Sequence, residues 1–301
     1  MKPCVAVCLL ALCAVAAFGQ QAPDPNFDVK VARPAYTKKA PQVLFDEAHF
    51  NFHTTDGRYQ PFAALITNDG CRVTPNKQKF TKQSLAGFDV LVIANALGAA
   101  QMGAAEASNP AFTEAECQAV REWVQAGGAL LLIADHAPMG AAAERLSQQF
   151  GVEMSKGYTA DPEHYPQESN NQGFIQFNRA NGLLDEHAIT RGRNADERLN
   201  QIQSFTGQSL KGPPDSVAFL KLADTAVDVD RATNTRTSAA GRAQGIALRF
   251  GKGRVVVLGE AAMLSAQLAG PQQMKMGMNQ PGLDNKQLVL NLMHWLAGIL
   301  N

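Results

Sequence analysis

Four short, largely apolar runs constrain this chain more than anything else in it. They are Gln42 to Phe45 (QVLF), Phe88 to Ala94 (FDVLVIA), Ala129 to Ala134 (ALLLIA) and Arg254 to Leu258 (RVVVL). They are too short for helices, and apolar at consecutive rather than alternate positions, as strands buried on both faces are. Helical patterns separate the first three. Tyr59, Phe62, Leu65 and Ile66 share one helical face, and Asn68-Asp69-Gly70 stops that helix. Cys71 to Thr74 reads as a short further strand. Thr113 as N-cap, with Glu116 three residues on, is a capping-box pattern opening a helix that runs to Gly127-Gly128. Another helix spans roughly Ala141 to Phe150 and ends at Gly151. This alternation over residues 42–151 predicts an α/β fold with a doubly wound, mostly parallel sheet, flavodoxin-like or amidotransferase-like, and the site reading below takes the strand order as the flavodoxin-like 2-1-3-4-5.

The chain has 301 residues, 46% hydrophobic and 18% charged, enough for one large core or two modest ones. A formal net charge of +0 gives no electrostatic case for nucleic acid or an anionic membrane. Residues 1–19 read as a secretory signal: Lys2 is a short basic region, Val5 to Phe18 is an apolar run, and Ala17-Phe18-Gly19 puts small residues at the cleavage site. A lipoprotein reading would use Cys13, which follows a Leu12 too large for that signal. Residues 20–41 form a Pro-, Gln- and Lys-rich arm, and no later stretch is apolar enough to span a membrane. The expected location is secreted or periplasmic. Of five cysteines only Cys71 and Cys117 lie beyond the signal. They could pair in an oxidising compartment, although the spacing of Cys117 with Val120 and Val124 also fits a small core residue.

Residues 42–301 are read as one α/β domain with an inserted lobe at 152–215, where Asn, Gln, Gly and Pro break the rhythm. Ser216 to Leu222 resumes as a strand. Ala243 to Phe250 and Arg254 to Leu258 form a hairpin across Gly251-Lys252-Gly253. The last helix starts at Asp284 as N-cap with Gln287 as box partner, and its core face is Leu288, Leu292, Trp295 and Leu296.

The strands run into polar residues. Gln42 to Phe45 leads to Asp46, Glu47, His49 and His53; Phe88 to Ala94 leads to Asn95; Ala129 to Ala134 leads to Asp135 and His136; Arg254 to Leu258 leads to Glu260, with Ser265 and Gln267 beyond. In the order 2-1-3-4-5 these ends line one carboxyl edge, where open α/β sheets bind ligands. Asp46, His49, His136 and Glu260 are the candidate working group. Glu47, His53, Asn95, Asp135, Ser265 and Gln267 are candidate ligand contacts. Imidazoles and carboxylates together suit a divalent metal, whose bound water would be a nucleophile at neutral pH, or acid–base chemistry without one. The alternative is that these are helix caps and loop hydrogen bonds, Glu260 capping a helix from Ala261. His164 is an exposed loop residue or part of a lid over the edge, and Gly277-Met278-Asn279 lies in a loop leading to the last helix, in a place to close over the crevice. His187 and His294 read as structural, Arg191 and Arg193 as surface residues. A Ser265 triad has no nucleophile-elbow spacing behind it.

With these pieces go "LLDEHAITRG" (Leu183 to Gly192), "FGKGRVVVLGE" (Phe250 to Glu260) and "NLMHWL" (Asn291 to Leu296). Together they resemble the class I glutamine amidotransferase-like superfamily, and within it exported bacterial proteins of the DUF4350 type and their gliding-motility and intraflagellar-transport relatives. The resemblance implies the doubly wound fold. It would also imply a nucleophilic Cys in the turn after Ala134. Here that turn reads Asp135-His136-Ala137-Pro138-Met139-Gly140, without Cys or Ser, so glutaminase chemistry is not expected. Three functions remain: a hydrolase with a His/carboxylate site, metal-assisted or not; a non-catalytic envelope module that binds a small molecule, glycan or peptide; and, below these, a purely structural envelope component.

Overall fold

The computed structural model describes residues 21–230 and 232–301, so the signal segment read at residues 1–19 lies outside the described residues. The apolar runs become the middle of a nine-stranded sheet. Its first half alternates strand and helix: β1 (Gln42–Asp46), α1 (Gln60–Asn68), β2 (Arg72–Asn76), β3 (Val90–Ala94), α2 (Glu114–Gln125), β4 (Ala129–Ile133) and α3 (Met139–Ser147). The second half adds β5 (Glu153–Met154), β6 (Leu210–Lys211), β7 (Val217–Lys221), β8 (Ala243–Phe250), β9 (Gly253–Leu258) and α4 (Asn285–Leu296). The order is β2-β1-β3-β4-β9-β8-β6-β5, with β7 also paired to β8. The first five strands are mutually parallel, and β8 turns back antiparallel to β9. The expected order 2-1-3-4-5 holds, with β9 as the fifth strand.

Pleating splits the strand side chains between two cores. Val43, Phe45, Val92, Leu131, Ile133, Val256 and Leu258 face α1 and α4. Leu44, Leu91, Ile93, Leu130, Leu132, Val255 and Val257 face α2 and α3. Cys71 lies in the first core and Cys117 in the second, so the sheet stands between them, and both are free, buried thiols. Burial pushes Cys71 up to about 12 and Cys117 to about 11, which leaves neither as a thiolate at neutral pH.

Local signals act as the residues dictate. Thr113 and Glu116 close the capping box of α2. The β8–β9 turn needs glycine: Gly251 has φ +58°, and a Cβ there would lie 2.7 Å from the Gln125 carbonyl oxygen. The box expected at α4 does not form. Asp284 sits at the N-cap, but its carboxylate accepts the Asn200 and Gln201 N–H groups, tying the helix start to a neighbouring strand. Gln287 bonds Asn291 instead.

Between β5 and β8 the chain makes small sheets of its own, Tyr158–Ala160 with Val227–Val229 and Arg236–Ser238, and Gln176–Asn178 with Gln201–Gln203. After β9 a hairpin, Ala266–Ala269 with Met274–Gly277, takes Ala22–Pro23 of the N-terminal arm as a third strand.

Leu131 is fully buried in β4 between Val92 and Val256. Leu131→Ala should therefore lower the unfolding free energy by about 2–5 kcal/mol in urea titrations.

Candidate functional site

Asp46 ends β1 with its side chain on the α2 face, in step with Leu44. The chain turns at once, and His49 folds back so that Nδ1 is 2.9 Å from both Asp46 oxygens. Its other nitrogen, Nε2, is 2.8 Å from Oε1 of Glu116 on α2. Both carboxylates take further donors. Asp46 accepts from Asn51 Nδ2 at 3.0 Å, and Glu116 accepts from the Phe80 N–H at 3.2 Å and the Thr113 hydroxyl at 2.7 Å. Phe80 and Phe112 flank the imidazole, with ring centroids 4.8 and 4.7 Å away.

An imidazole between two carboxylates satisfies both only when both nitrogens carry protons. Burial pulls the His49 pKa down, but the hydrogen bonds and charges of Asp46 and Glu116 outweigh it and hold His49 above its ordinary value. Burial pushes Glu116 up, and the bonds from His49 and Thr113 bring it below the usual carboxylate range. The bridge sits where β1 and β3 diverge, the switch point of this strand order. The loops there are also joined through main chain, Phe52 N–H to Asn95 O and Leu97 N–H to His49 O, each at 2.9 Å. The usual ligand crevice of such a sheet is thus filled by the protein's own side chains.

The ends of β4 and β9 are arranged differently. Ile133 and Leu258 pair in register and face the α1/α4 core; Asp135 and Glu260 follow, each two residues beyond. Glu260 is fully buried and caps a 3-10 turn at Ala262–Leu264, as the capping alternative expects: its oxygens accept the Ala262 and Met263 N–H groups at 2.7 and 2.8 Å. Burial, with the Asp135 charge adding, pushes Glu260 up to about 8 against the pull of N–H donors from Met263, Ala262 and Phe205. Tyr59, also buried, donates to the Ala261 carbonyl at 2.7 Å, and His53 stacks on it at 4.7 Å. Burial and Arg58 drop His53 to about 3, so it is neutral, and its Nδ1 has no partner.

The Asp135–His136 turn is half-buried. Asn95, in the left-handed region at φ +52°, fixes it by accepting the Asp135 N–H at 2.9 Å. Gln208 clamps it from the other side, its Nε2 donating to the Ala134 and Asp135 carbonyls at 2.9 Å each. Gly140 makes room, since a Cβ there would stand 2.4 Å from the Gln208 amide.

The expected working group therefore does not meet at one point. Asp46 and His49 belong to the α2 side of the sheet, while Glu260 and Asp135 lie on the α1/α4 side with His136 in the turn above. Glu47 is engaged elsewhere, bonded to Thr55 and Lys77, and the Ser265 hydroxyl donates to the Arg58 carbonyl oxygen, which takes it out of any triad. Gln267 is buried with neither amide atom bonded. Among the described residues no group of three or more His, Cys, Asp and Glu side chains is placed to hold a metal ion. His164 is oriented through Nδ1 by the buried Asp161, 2.9 Å away. His187 caps the turn at Ala188–Arg191, and His294 bonds Asp69 at 2.7 Å in the core. Glu116, Tyr59 and Gln208 were not among the sequence candidates. Only Glu116 carried a signal, its place in the capping box.

Comparison with solved structures agrees with this architecture. The mmIFT52 N-terminal domain has a TM-score of 0.60 at 15% identity, over 85% of this chain and 97% of that one. Cytoplasmic Protein STM3548 from Salmonella typhimurium has a TM-score of 0.51 at 12% identity, over 85% and 98%. A ThuA-like protein from Parabacteroides merdae reaches 0.45 at 13% identity, over 86% and 91%, too far in shape to argue from. These likenesses show the fold alone. No protein-family model matches the chain, and no curated protein does.

Because the folded pKa of Glu260 lies above its unfolded value near 4.3, its contribution is fully present below that value and is lost as pH rises through about 8. Glu260→Gln should flatten this fall. Urea unfolding from pH 4 to pH 9 would show wild type losing stability relative to the variant; parallel curves would refute it.

Proposed function

We propose that this chain is an exported ligand-binding module on an amidotransferase-like scaffold, using the end of the sheet between β4 and β9 rather than the switch point. One observation carries the reading. The switch-point crevice is filled by the Asp46–His49–Glu116 bridge, whereas the Asp135–His136 turn stays half-buried and is held rigid by Asn95 and Gln208. A fixed turn with an accessible imidazole suits recognition, because little side-chain freedom is lost on binding. No thiol or hydroxyl stands in that turn to act as a nucleophile. The ligand is a small molecule, glycan or peptide of the cell envelope, consistent with the signal read at residues 1–19.

A second reading, hydrolysis, is favoured by Glu260. A carboxylic acid held at about 8 stays protonated at neutral pH and can donate to a leaving group, with Asp135 or His136 taking a proton from water.

Glycan and peptide arrays, followed by titration of the best ligand, separate the two. His136→Ala should weaken binding about tenfold or more while the melting temperature moves by less than about 2 °C, with no turnover. Turnover of any array member that Glu260→Gln abolishes would replace the binding reading with the hydrolase.

A further inference from the structure

The hairpin after β9 packs over the Glu260 turn, and its underside carries a buried amide. Pairing puts Gln267 opposite Met276, and the pleat puts Ala269 on the same face. Ala269 and Met276 pack on Phe205 and Ala262, the residues whose N–H groups hold the Glu260 carboxylate. Gln267 thus shares the hairpin face turned toward the Glu260 turn. It is fully buried, yet its amide nitrogen and oxygen both lack a partner. On the same border the Asn279 Oδ1 and His53 Nδ1 are also buried and unbonded. Each such group costs free energy comparable to a lost hydrogen bond, and a concentration of them against one carboxyl edge calls for a partner.

The chemistry of these groups narrows what that partner is. An amide offers two donors and an acceptor, Asn279 offers an acceptor, and a neutral imidazole nitrogen either accepts or donates according to its tautomer. None of the three is charged. Arg58, the nearby cation, stacks over the Phe52 ring at 4.3 Å and bonds Gln21. An anionic ligand would find only the engaged Arg58, and a cationic one would find Glu260 protonated and the Asp24 carboxylate already bonded to Asn279 and the Asn26 N–H, so burying either charge is costly. Hydroxyl groups, which donate and accept, match what is offered. The arm joins this cover: Ala22–Pro23 pairs along Ala266–Ala269, the Asp24 N–H donates to the Ala266 carbonyl at 2.8 Å, and Asn279 Nδ2 links arm and hairpin through Asp24 at 2.9 Å and the Gln267 carbonyl at 3.0 Å.

We propose that the hairpin and the Phe205–Glu260 region enclose a recognition site for an uncharged, hydroxyl-rich small molecule, with Gln267 as its principal hydrogen-bonding group and the arm–hairpin sheet as its cover. This rests on the binding-module reading and gives it a ligand class. Saturation-transfer NMR on the full mature chain tests it, with D-glucose and N-acetyl-D-glucosamine as neutral probes and D-gluconate and D-glucosamine as charged controls. The expected result is transfer to a neutral probe but not to the controls, weakened about tenfold or more in Gln267→Leu. Unliganded Gln267→Leu should melt at or above wild type, because leucine replaces an unpaired amide; this also shows that the variant folds. Absence of transfer to both neutral probes overturns the proposal whatever the melting temperature, as does equal transfer to wild type and variant. A variant that melts well below wild type also overturns it, since the amide would then be satisfied by internal water. A glycan or peptide bound through His136 but indifferent to Gln267→Leu would end this proposal and leave the binding module standing. No binding by any array member would end both.

Discussion

The imidazole of His49 between the carboxylates of Asp46 and Glu116 is the interaction on which the working edge of this fold depends. It joins the end of β1 to the start of α2, across the gap that the strand order opens between β1 and β3. Phe80 and Phe112 exclude water from it. Two carboxylates brought this close and buried would repel each other; one proton-bearing ring between them turns that repulsion into two charge-assisted hydrogen bonds. Removing the ring would leave an uncompensated buried charge, a loss of about 3–5 kcal/mol in comparable systems. The arrangement is therefore a lock, and a locked imidazole has no free nitrogen with which to act as a base.

With the switch point filled, the pleat decides what remains. Asp46 continues the face of Leu44, and Glu260 continues the face of Leu258, so the two carboxylates leave the sheet on opposite sides. The polar groups between β4 and β9 form their own neighbourhood. Within it Glu260 is sealed under the hairpin, while Asp135 and His136 reach the surface. A buried acid of raised pKa, an accessible turn and a hairpin paired with the N-terminal arm lie together at this end of the sheet.

Much of the architecture was legible in the sequence because it is local. Apolar strands such as ALLLI read directly, and so did the Thr113–Glu116 box and the glycines that end helices. Side-chain pairing across distant elements was not legible. Glu116 lies 67 positions from His49, and its capping pattern accounts for one carboxylate oxygen while saying nothing of the other. Asp284 shows the same limit from the other side, since its spacing suggested a box and tertiary contacts took its carboxylate elsewhere. The rim residues were found because they follow strands; which of them meet depended on a two-residue alternation continued past the strand ends, through turns that the sequence does not specify.

The most direct measurement is the protonation state of His49 by long-range proton–nitrogen NMR on ring-labelled protein. A locked imidazolium predicts protons on both Nδ1 and Nε2 at pH 7, and a titration midpoint above the ordinary value of about 6.5. A neutral ring at pH 7, with one bare nitrogen and a midpoint at or below that value, would contradict the lock and return His49 to the candidate bases.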